Sequence, residues 1–162
     1  SGTVRQALKE HASALEEGKA DILGLYMVQR LREKGEITDG ELMDDYVTFL
    51  AGIFRSIRFG ASSAHGRANM IRFNYFSNAG AFTRDADTGK YRINVKEFEQ
   101  AIKDLGNDLL VLQGDGDYDK VAAFVAEMGN VGTQLQDDLN RLDAISIPVD
   151  IVYQQGKEIL DL

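Results

Sequence analysis

The chain has 162 residues, a formal net charge of −8, 44% hydrophobic and 27% charged residues, and no cysteine. This length and composition are typical of one globular domain with a sizeable core, and the acidity argues against general nucleic-acid binding, which needs a basic face. The lack of cysteine excludes disulfides and thiol chemistry, and no apolar run is long enough to span a membrane.

The hydrophobic pattern predicts about six helices and one short hairpin. Capping-box patterns at Thr3 to Gln6 and at Thr38 to Glu41 start the first two helices. Ser62 and Asn94 are the predicted N-caps of the third and fourth helices, and apolar residues recur at the 3.6-residue period in most of them. The predicted elements are helices over 4–34, 42–58, 63–79, 95–113, 118–128 and 131–145, a hairpin of 82–85 with 90–94, and an extended segment over 147–153.

These elements predict a mostly α fold. Residues 1–162 are expected to form a single multi-helix domain with a short β-hairpin and an extended C-terminal segment. The extended segment is predicted because Pro148 ends a helix and the β-branched residues around it favour strand. No internal repeat, linker or low-complexity stretch divides the chain.

Three carboxylates cluster in the first predicted helix. Glu16 and Glu17 precede the run from Ala20 to Val28, in which Asp21 is the only charged residue. Glu17 and Asp21 are four residues apart and share a helical face, whereas Glu16 is turned by roughly 100°. Because a helix that is apolar on every side is normally buried, we expect these carboxylates to need a cation, a metal or hydrogen-bond donors.

The segment from Glu16 to Asp21 resembles a signature of the dipeptidyl peptidase III family of zinc metallopeptidases, which reads Glu-Glu-Cys-Arg-Ala followed by Glu or Asp. Gly18 and Lys19 depart from that pattern. The resemblance implies that zinc is the cofactor, that Glu17 is its third protein ligand, and that Glu16 and Asp21 support the ligands from the second shell. Similarity to the family continues at 62–74, 112–118 and 147–150.

The other signature of the family, His-Glu-x-x-Gly-His, supplies two zinc histidines and the catalytic glutamate, and it does not occur in this sequence. Its only histidines are His11 and His65. Since a catalytic zinc site needs three protein ligands and a water, the resemblance implies the carboxy-terminal portion of a larger peptidase. The implied partners are the missing N-terminal part of the same protein and a peptide substrate, from which dipeptides would be removed at the N-terminus. The chain alone is expected to be inactive and to bind zinc weakly.

Five arginines, and neither an acidic residue nor a lysine, lie between Tyr46 and Arg84. Arginine is favoured where planar, bidentate contact with a carboxylate is needed. We expect most of these arginines to pair with the chain's own acids, including Glu16, Glu17 and Asp21, while the functional alternative is recognition of peptide carbonyls or of a carboxylate. The five are Arg55, Arg58, Arg67, Arg72 and Arg84.

His65 lies near the start of the third predicted helix and shares a face with Asn69 and Arg72. Its spacing alone is more typical of a structural histidine. The family resemblance implies a catalytic histidine that contacts substrate and donates to the developing oxyanion. In the family pattern an arginine lies four residues beyond this histidine, and Asn69 holds that place here. Arg67, Asn69 and Arg72 are therefore the candidates for substrate binding.

The main alternative function is a non-catalytic helical interaction or structural domain. Such a domain would pair all three acids with Arg55, Arg58, Arg67 or Arg72, whereas exposed carboxylates beside an uncovered apolar face would favour the peptidase portion. A complete metalloenzyme built on His11 and His65 is a weaker alternative, because His11 is better interpreted as structural. Asp115 to Asp119 resembles the start of a calcium loop but lacks the glycine and the glutamate that the loop requires, so a loop and helix cap is predicted there.

Overall fold

The computed structural model describes residues 2–150, 153–154, 156 and 159. Within them the chain forms six helices of eleven residues or more, one short helix and one antiparallel hairpin, which confirms the predicted mostly α fold. None of the described helices is long and apolar enough to cross a membrane. The elements are α1 (Val4–Leu8), α2 (Ala12–Glu33), α3 (Leu42–Ile57), α4 (Ala64–Asn78), β1 (Phe82–Arg84), β2 (Tyr91–Ile93), α5 (Val95–Asp115), α6 (Tyr118–Met128) and α7 (Thr133–Ala144).

Helix α2 lies against both α4 and α5, and α3 and α6 pack on α4. The packed side of α2 carries Leu15 and Ile22, both fully buried. An aromatic cluster joins three helices: the Phe98 ring lies 4.5 Å from that of Tyr46 and 4.7 Å from that of Phe76, centroid to centroid. Such pairs add to the free energy gained by burying the rings. The core therefore fixes α2 and α4, the two helices that carry the predicted site.

The prediction of one continuous helix from Val4 to Lys34 is wrong, because the helix is interrupted soon after its start. The capping box is confirmed, since Thr3 accepts from the Gln6 backbone and the Gln6 side chain reaches back to Thr3. Helix α1 nevertheless ends at Leu8, and a 3₁₀ turn over Lys9–His11 separates it from α2. Lys9 has φ 49° and ψ −123°, a conformation that an α-helix cannot contain.

Two predicted N-caps are corrected, and a third, Asn94, is the N-cap residue of α5 as predicted but makes no side-chain hydrogen bond to the helix. Helix α3 has Glu41 rather than Thr38 at its N-cap, in a reciprocal pair with Asp44. Helix α4 is capped by Ser63 rather than Ser62. The Asn94 side chain does not cap α5 but donates to the carbonyl oxygen of Gly80, 2.7 Å away, and so ties the hairpin to the end of α4.

The carboxy-terminal boundaries also differ from the prediction. Helix α5 continues through Gly114 to Asp115 and is capped by Gly116, whose φ of 63° is the left-handed conformation typical of a helix C-cap. Ile145, predicted on the buried face of the last helix, lies beyond α7 and is 68% exposed. Residues 147–150 form neither helix nor strand. Residues 151–152 of the predicted extended segment lie outside the described residues.

Candidate functional site

The three clustered acids of α2, Glu16, Glu17 and Asp21, lie on its solvent side. Their side chains are 61% exposed at Glu16, 40% at Glu17 and 49% at Asp21, so the expectation of a fully buried helix is wrong. One side of α2 packs into the core, whereas Ala20 and Gly24 on the other side are exposed. An apolar run in the sequence predicts that a helix is covered by other protein, but it does not identify the segment that covers the helix.

Glu16 is held by two donors. The Lys19 ammonium and the Gln113 amide each lie 2.9 Å from Oε2. These hydrogen bonds, that from Lys19 first, lower the pKa of Glu16. Gln113 comes from α5 and is itself buried. The carboxylate of Glu16 is therefore ionised and fixed in orientation, while its Oε1 has no donor within the described residues.

Glu17 faces His65 across the contact between α2 and α4. Its Oε2 lies 3.4 Å from Nδ1 of His65, whose side chain is 72% exposed. No arginine or lysine forms an ion pair with Glu17 in the described part of the chain. Helix periodicity explains the contact, because His65 is the exposed member of the α4 face that packs on α2. The two predicted site residues are brought together, and both open to solvent.

Asp21 is held by a buried arginine. Nη1 of Arg72 donates to Oδ2 of Asp21, and Nη2 of the same side chain donates to Oδ1 of Asn69. Arg72 is 3% exposed and Asn69 is 5% exposed, and the guanidinium also lies 5.6 Å from the ring centroid of Phe49. Burial lowers the pKa of Arg72, and the neighbouring Asp21 opposes that shift. Arg72 and Asn69 are themselves buried, and they are linked to the solvent side of α2 through Asp21.

Arg67 lies on a different side of α4 from His65. Its aliphatic stem packs near Gly129, just after α6. Within the described residues, its guanidinium has no hydrogen-bond or ion-pair partner. The predicted contacts of Arg67, Asn69 and Arg72 with a substrate stay predictions, and the three do not form one polar group.

The expectation that most arginines pair with the chain's own acids is confirmed, but their partners are mainly carboxy-terminal. Of these five arginines, only Arg72 pairs with an acid of α2 in the part of the chain that the structure describes. Arg58 lies 2.7 Å from Asp143. The two other pairs, Arg55 with Asp150 and Arg84 with Asp138, have N–O distances of 3.1 and 2.7 Å.

His11 has its own neighbours. Its Nε2 lies 3.8 Å from Oε1 of Glu10, and its ring lies 5.4 Å from that of Tyr118, centroid to centroid. No group of three or more metal-binding side chains is found among the described residues. A metalloenzyme built on His11 and His65 therefore has no support there.

The calcium-like segment is a helix cap, as predicted: Oδ1 of Asp117 accepts from the Lys120 backbone at 3.1 Å.

Sequence reasoning missed the two residues that hold Glu16. Lys19 was noted only as a departure from the family pattern, although a lysine three residues after a glutamate lies on the same face of a helix. Gln113 follows the apolar stripe of α5 and is 97 residues from Glu16. The sequence signal was an amide residue directly after the apolar stripe. That signal did not identify Glu16 as its partner.

Comparison with known proteins places these features in context. No family model matches the chain. A protein of Arabidopsis thaliana named Nudix hydrolase 3 is 37% identical over 151 residues, which cover 93% of this chain and 19% of that protein. The structure of dipeptidyl peptidase III from Caldithrix abyssi is 37% identical, with a TM-score of 0.86, and the match covers 91% of this chain and 28% of that one. The corresponding enzyme from Corallococcus sp. strain EGB is 40% identical, with the same TM-score, over 93% of this chain and 28% of its own.

The two solved structures confirm the predicted resemblance to dipeptidyl peptidase III along nearly the whole chain. Both the fold and more than a third of the aligned residues agree with the two solved structures. The chain spans less than a third of the length of each protein that it matches. It therefore corresponds to a part of those larger proteins.

Proposed function

We propose that this chain is the carboxy-terminal portion of a zinc-dependent dipeptidyl peptidase III-like enzyme that releases dipeptides from the N-terminus of peptides. The similarity to two dipeptidyl peptidase III chains supports the proposal. The observation that carries it is the state of Glu17, a partly exposed carboxylate with no paired arginine or lysine in the described residues. It lies between two carboxylates that are each held by donors.

Glu17 fits the contribution of one ligand to a zinc site. Carboxylate oxygens bind zinc, and a catalytic site combines three protein ligands with a water. Since the described residues hold no group of three metal-binding side chains, the other two ligands would come from a part of the enzyme outside this chain. When bound, zinc would polarise the scissile carbonyl and lower the pKa of a water molecule.

Glu16 and Asp21 are suited to orienting histidine ligands. Each has one oxygen occupied by donors from this chain, namely Oε2 of Glu16 and Oδ2 of Asp21. The second oxygen of each has no donor within the described residues, and both side chains are about half exposed or more. A carboxylate fixed in this way can accept the N–H of a zinc-bound histidine and hold its ring in place.

His65 is the candidate catalytic residue. Its Nδ1 lies beside Glu17, so the ring is close to the proposed metal position, and its exposure leaves Nε2 available to a substrate. A donor at this place would stabilise the negative charge that develops on the carbonyl oxygen. Arg72 and Asn69 act as positioning residues through Asp21, and substrate contact by Arg67, Asn69 or Arg72 is part of the proposal.

The solvent side of α2 favours this proposal over a self-contained structural domain. Of the three acids, only Asp21 pairs with an arginine among the described residues. Beside them Ala20 and Gly24 are exposed, and Met27 is 52% exposed. On the neighbouring α5, Leu110 is 50% exposed. An apolar face of this kind commonly marks an interaction surface, and the rest of the peptidase would cover it.

The test is release of dipeptides from an unblocked pentapeptide, followed by mass spectrometry. We expect release by a longer protein that includes the amino-terminal portion, and none by this chain alone. Glu17→Ala in the longer protein should reduce the rate by at least about a thousandfold, as loss of a metal-dependent step would. Glu33→Ala is the matched control, because Glu33 is a similarly exposed carboxylate at the end of the same helix. A longer protein that releases no dipeptide, or that is unaffected by Glu17→Ala, would overturn the proposal.

A further inference from the structure

A cavity lies between α3, the hairpin and α7. Its volume is about 460 Å³, within the range of small-molecule sites, which are mostly apolar with a few placed polar groups. It shares no residue with the acidic face of α2. The lining includes Ala51, Phe54, Leu142 and Ile145, with Asp138 and Arg141 as its charged residues.

At the charged end of this cavity, two guanidinium groups contact one carboxylate. Asp138, 7% exposed, accepts from Nε and Nη2 of Arg84 at 2.7 and 2.8 Å and from the Tyr91 hydroxyl at 2.7 Å. Nη1 of Arg141 lies 3.3 Å from the same carboxylate. These cations lower the pKa of Asp138, the hydrogen bond from Arg84 most strongly. One negative charge thus faces two positive charges, which leaves an excess of one.

Arg141 holds that excess charge at the cavity. Arg84 is neutralised by its bidentate contact with Asp138. The Arg141 side chain is 60% exposed, and Asp138 is its only ion-pair partner within the described residues. Its Nε and Nη2 have no acceptor there. Donors in this fork geometry match a carboxylate.

The hairpin turn is shaped to admit both guanidinium groups. Gly89 has φ +67°, and a Cβ at this position would lie 2.0 Å from Nη1 of Arg141 and 3.0 Å from Nη2 of Arg84. No side chain can therefore occupy residue 89 without displacing Arg141. The absence of a side chain in the turn creates the space in which the two arginines converge.

We propose that this cavity binds a small monocarboxylate with an apolar body. The carboxylate contacts the guanidinium of Arg141, and the body lies along Phe54, Leu142 and Ile145. An amine of the same shape is repelled by the excess positive charge, and a neutral alcohol lacks the ionic contact. The proposal does not depend on the peptidase function, since neither Glu17 nor its neighbours take part.

The test is calorimetric titration of this chain with octanoate, and with octylamine and 1-octanol as matched compounds. We expect saturable octanoate binding with a Kd of roughly millimolar order, from the size of the compound. Octylamine should not bind at the site, and 1-octanol should bind at least about tenfold more weakly. Absence of saturable octanoate binding, or equal binding of octylamine, would overturn the proposal.

Two variants locate the binding. Arg141→Gln should weaken octanoate about tenfold by removing the charge, and Ala51→Trp should abolish binding by filling the cavity. Arg92→Gln is the control, because Arg92 is an exposed arginine of the same hairpin and does not line the cavity. Octanoate affinity that is unchanged in Arg141→Gln or in Ala51→Trp would contradict the assignment. Circular dichroism of each variant establishes that it is folded.

Discussion

Arg72 on α4 and Asp21 on α2 form an ion pair in which the arginine side chain is 4% exposed and the aspartate side chain 49% exposed. The pair connects the core to the solvent side of α2. Burial of Arg72 is compatible with its charge only because Asp21 and Asn69 accept its hydrogen bonds. The same contacts hold Asp21 in the orientation that the proposed site requires.

Loss of the Asp21 charge should destabilise the chain. Asp21→Asn leaves a buried guanidinium without a counter-ion, and we expect a loss of about 1–3 kcal/mol in the free energy of unfolding. This is below the cost for a fully buried pair because Asp21 is half exposed. Urea denaturation measures it, and Glu127→Gln should stay within about 0.5 kcal/mol, because Glu127 is an exposed carboxylate with no paired cation among the described residues. Equal effects of the two substitutions would show that Arg72 does not depend on Asp21.

Two helical glycines should respond oppositely to alanine. A Cβ on Gly66 would lie 2.2 Å from the carbonyl oxygen of Gly60, whereas a Cβ on Gly24 would have nothing within 4 Å. Gly66→Ala should therefore cost at least about 2 kcal/mol, since backbone must move, and Gly24→Ala should gain about 1 kcal/mol from helix propensity. Thermal or urea unfolding gives both values. A stabilising Gly66→Ala would contradict the close contact between the start of α4 and the preceding loop.

Two tyrosine hydroxyl groups in the core should differ in their contribution. The hydroxyl of Tyr46 is buried and has no hydrogen-bond partner within the described residues, whereas that of Tyr91 donates to Asp138 at 2.7 Å. Tyr46→Phe removes an unsatisfied polar group and should raise the free energy of unfolding by up to about 1 kcal/mol. Tyr91→Phe should lower it by about 1 kcal/mol. The prediction fails if Tyr46→Phe is the more damaging substitution in the same urea experiment.

Asp138 should make the free energy of unfolding decrease as the pH becomes acidic. Its pKa in the folded chain lies below the ordinary value of 3.8, chiefly because of the hydrogen bond from Arg84. As the pH falls through about 4, the unfolded chain takes up a proton at this position before the folded chain does, so unfolding becomes more favourable. The stabilisation by Asp138 is therefore complete above that pH and is lost as the pH passes below the lowered pKa.

The measurement compares the wild-type chain with Asp138→Asn by urea denaturation between pH 7 and pH 2.5. The difference in the free energy of unfolding should be largest at neutral pH and should shrink below pH 4. Asp137→Asn is the control, because it removes an exposed neighbouring carboxylate that contacts no guanidinium in the described residues. A difference for Asp138→Asn that grows on acidification would have the wrong sign for this account.

Periodicity predicted most of the fold. The stripe from Phe98 to Leu112 predicted α5, and its members are buried. The break at Lys9 was not predictable, because no glycine or proline marks it and a lysine there satisfies the helical pattern. Gly24 illustrates a second limit. A glycine in an apolar helix indicates either a packed or an open position, and only the structure shows that nothing covers Gly24.

The residues of the site that lie on one helix were predictable from the sequence. The contacts between helices were less predictable, because they depend on packing. The acids of α2 and the position of His65 came from a motif and its spacing. The partners of Glu16 and Asp21 come from α5 and α4, which are distant in sequence. Likewise, five arginines in a segment without acids predicted that they would pair with acids elsewhere. That Arg84 and Arg141 would meet on Asp138 depends on how the hairpin packs against α7.

The central claim is that Glu17 contributes one ligand to a zinc site completed by another part of the enzyme. Calorimetric titration with zinc, on this chain and on a longer protein with the amino-terminal portion, tests it most directly. We predict tight, stoichiometric binding by the longer protein only, lost in Glu17→Ala and retained in Glu33→Ala. Zinc binding that is absent from the longer protein, or that persists unchanged in Glu17→Ala, would contradict the claim and leave the structural-domain alternative.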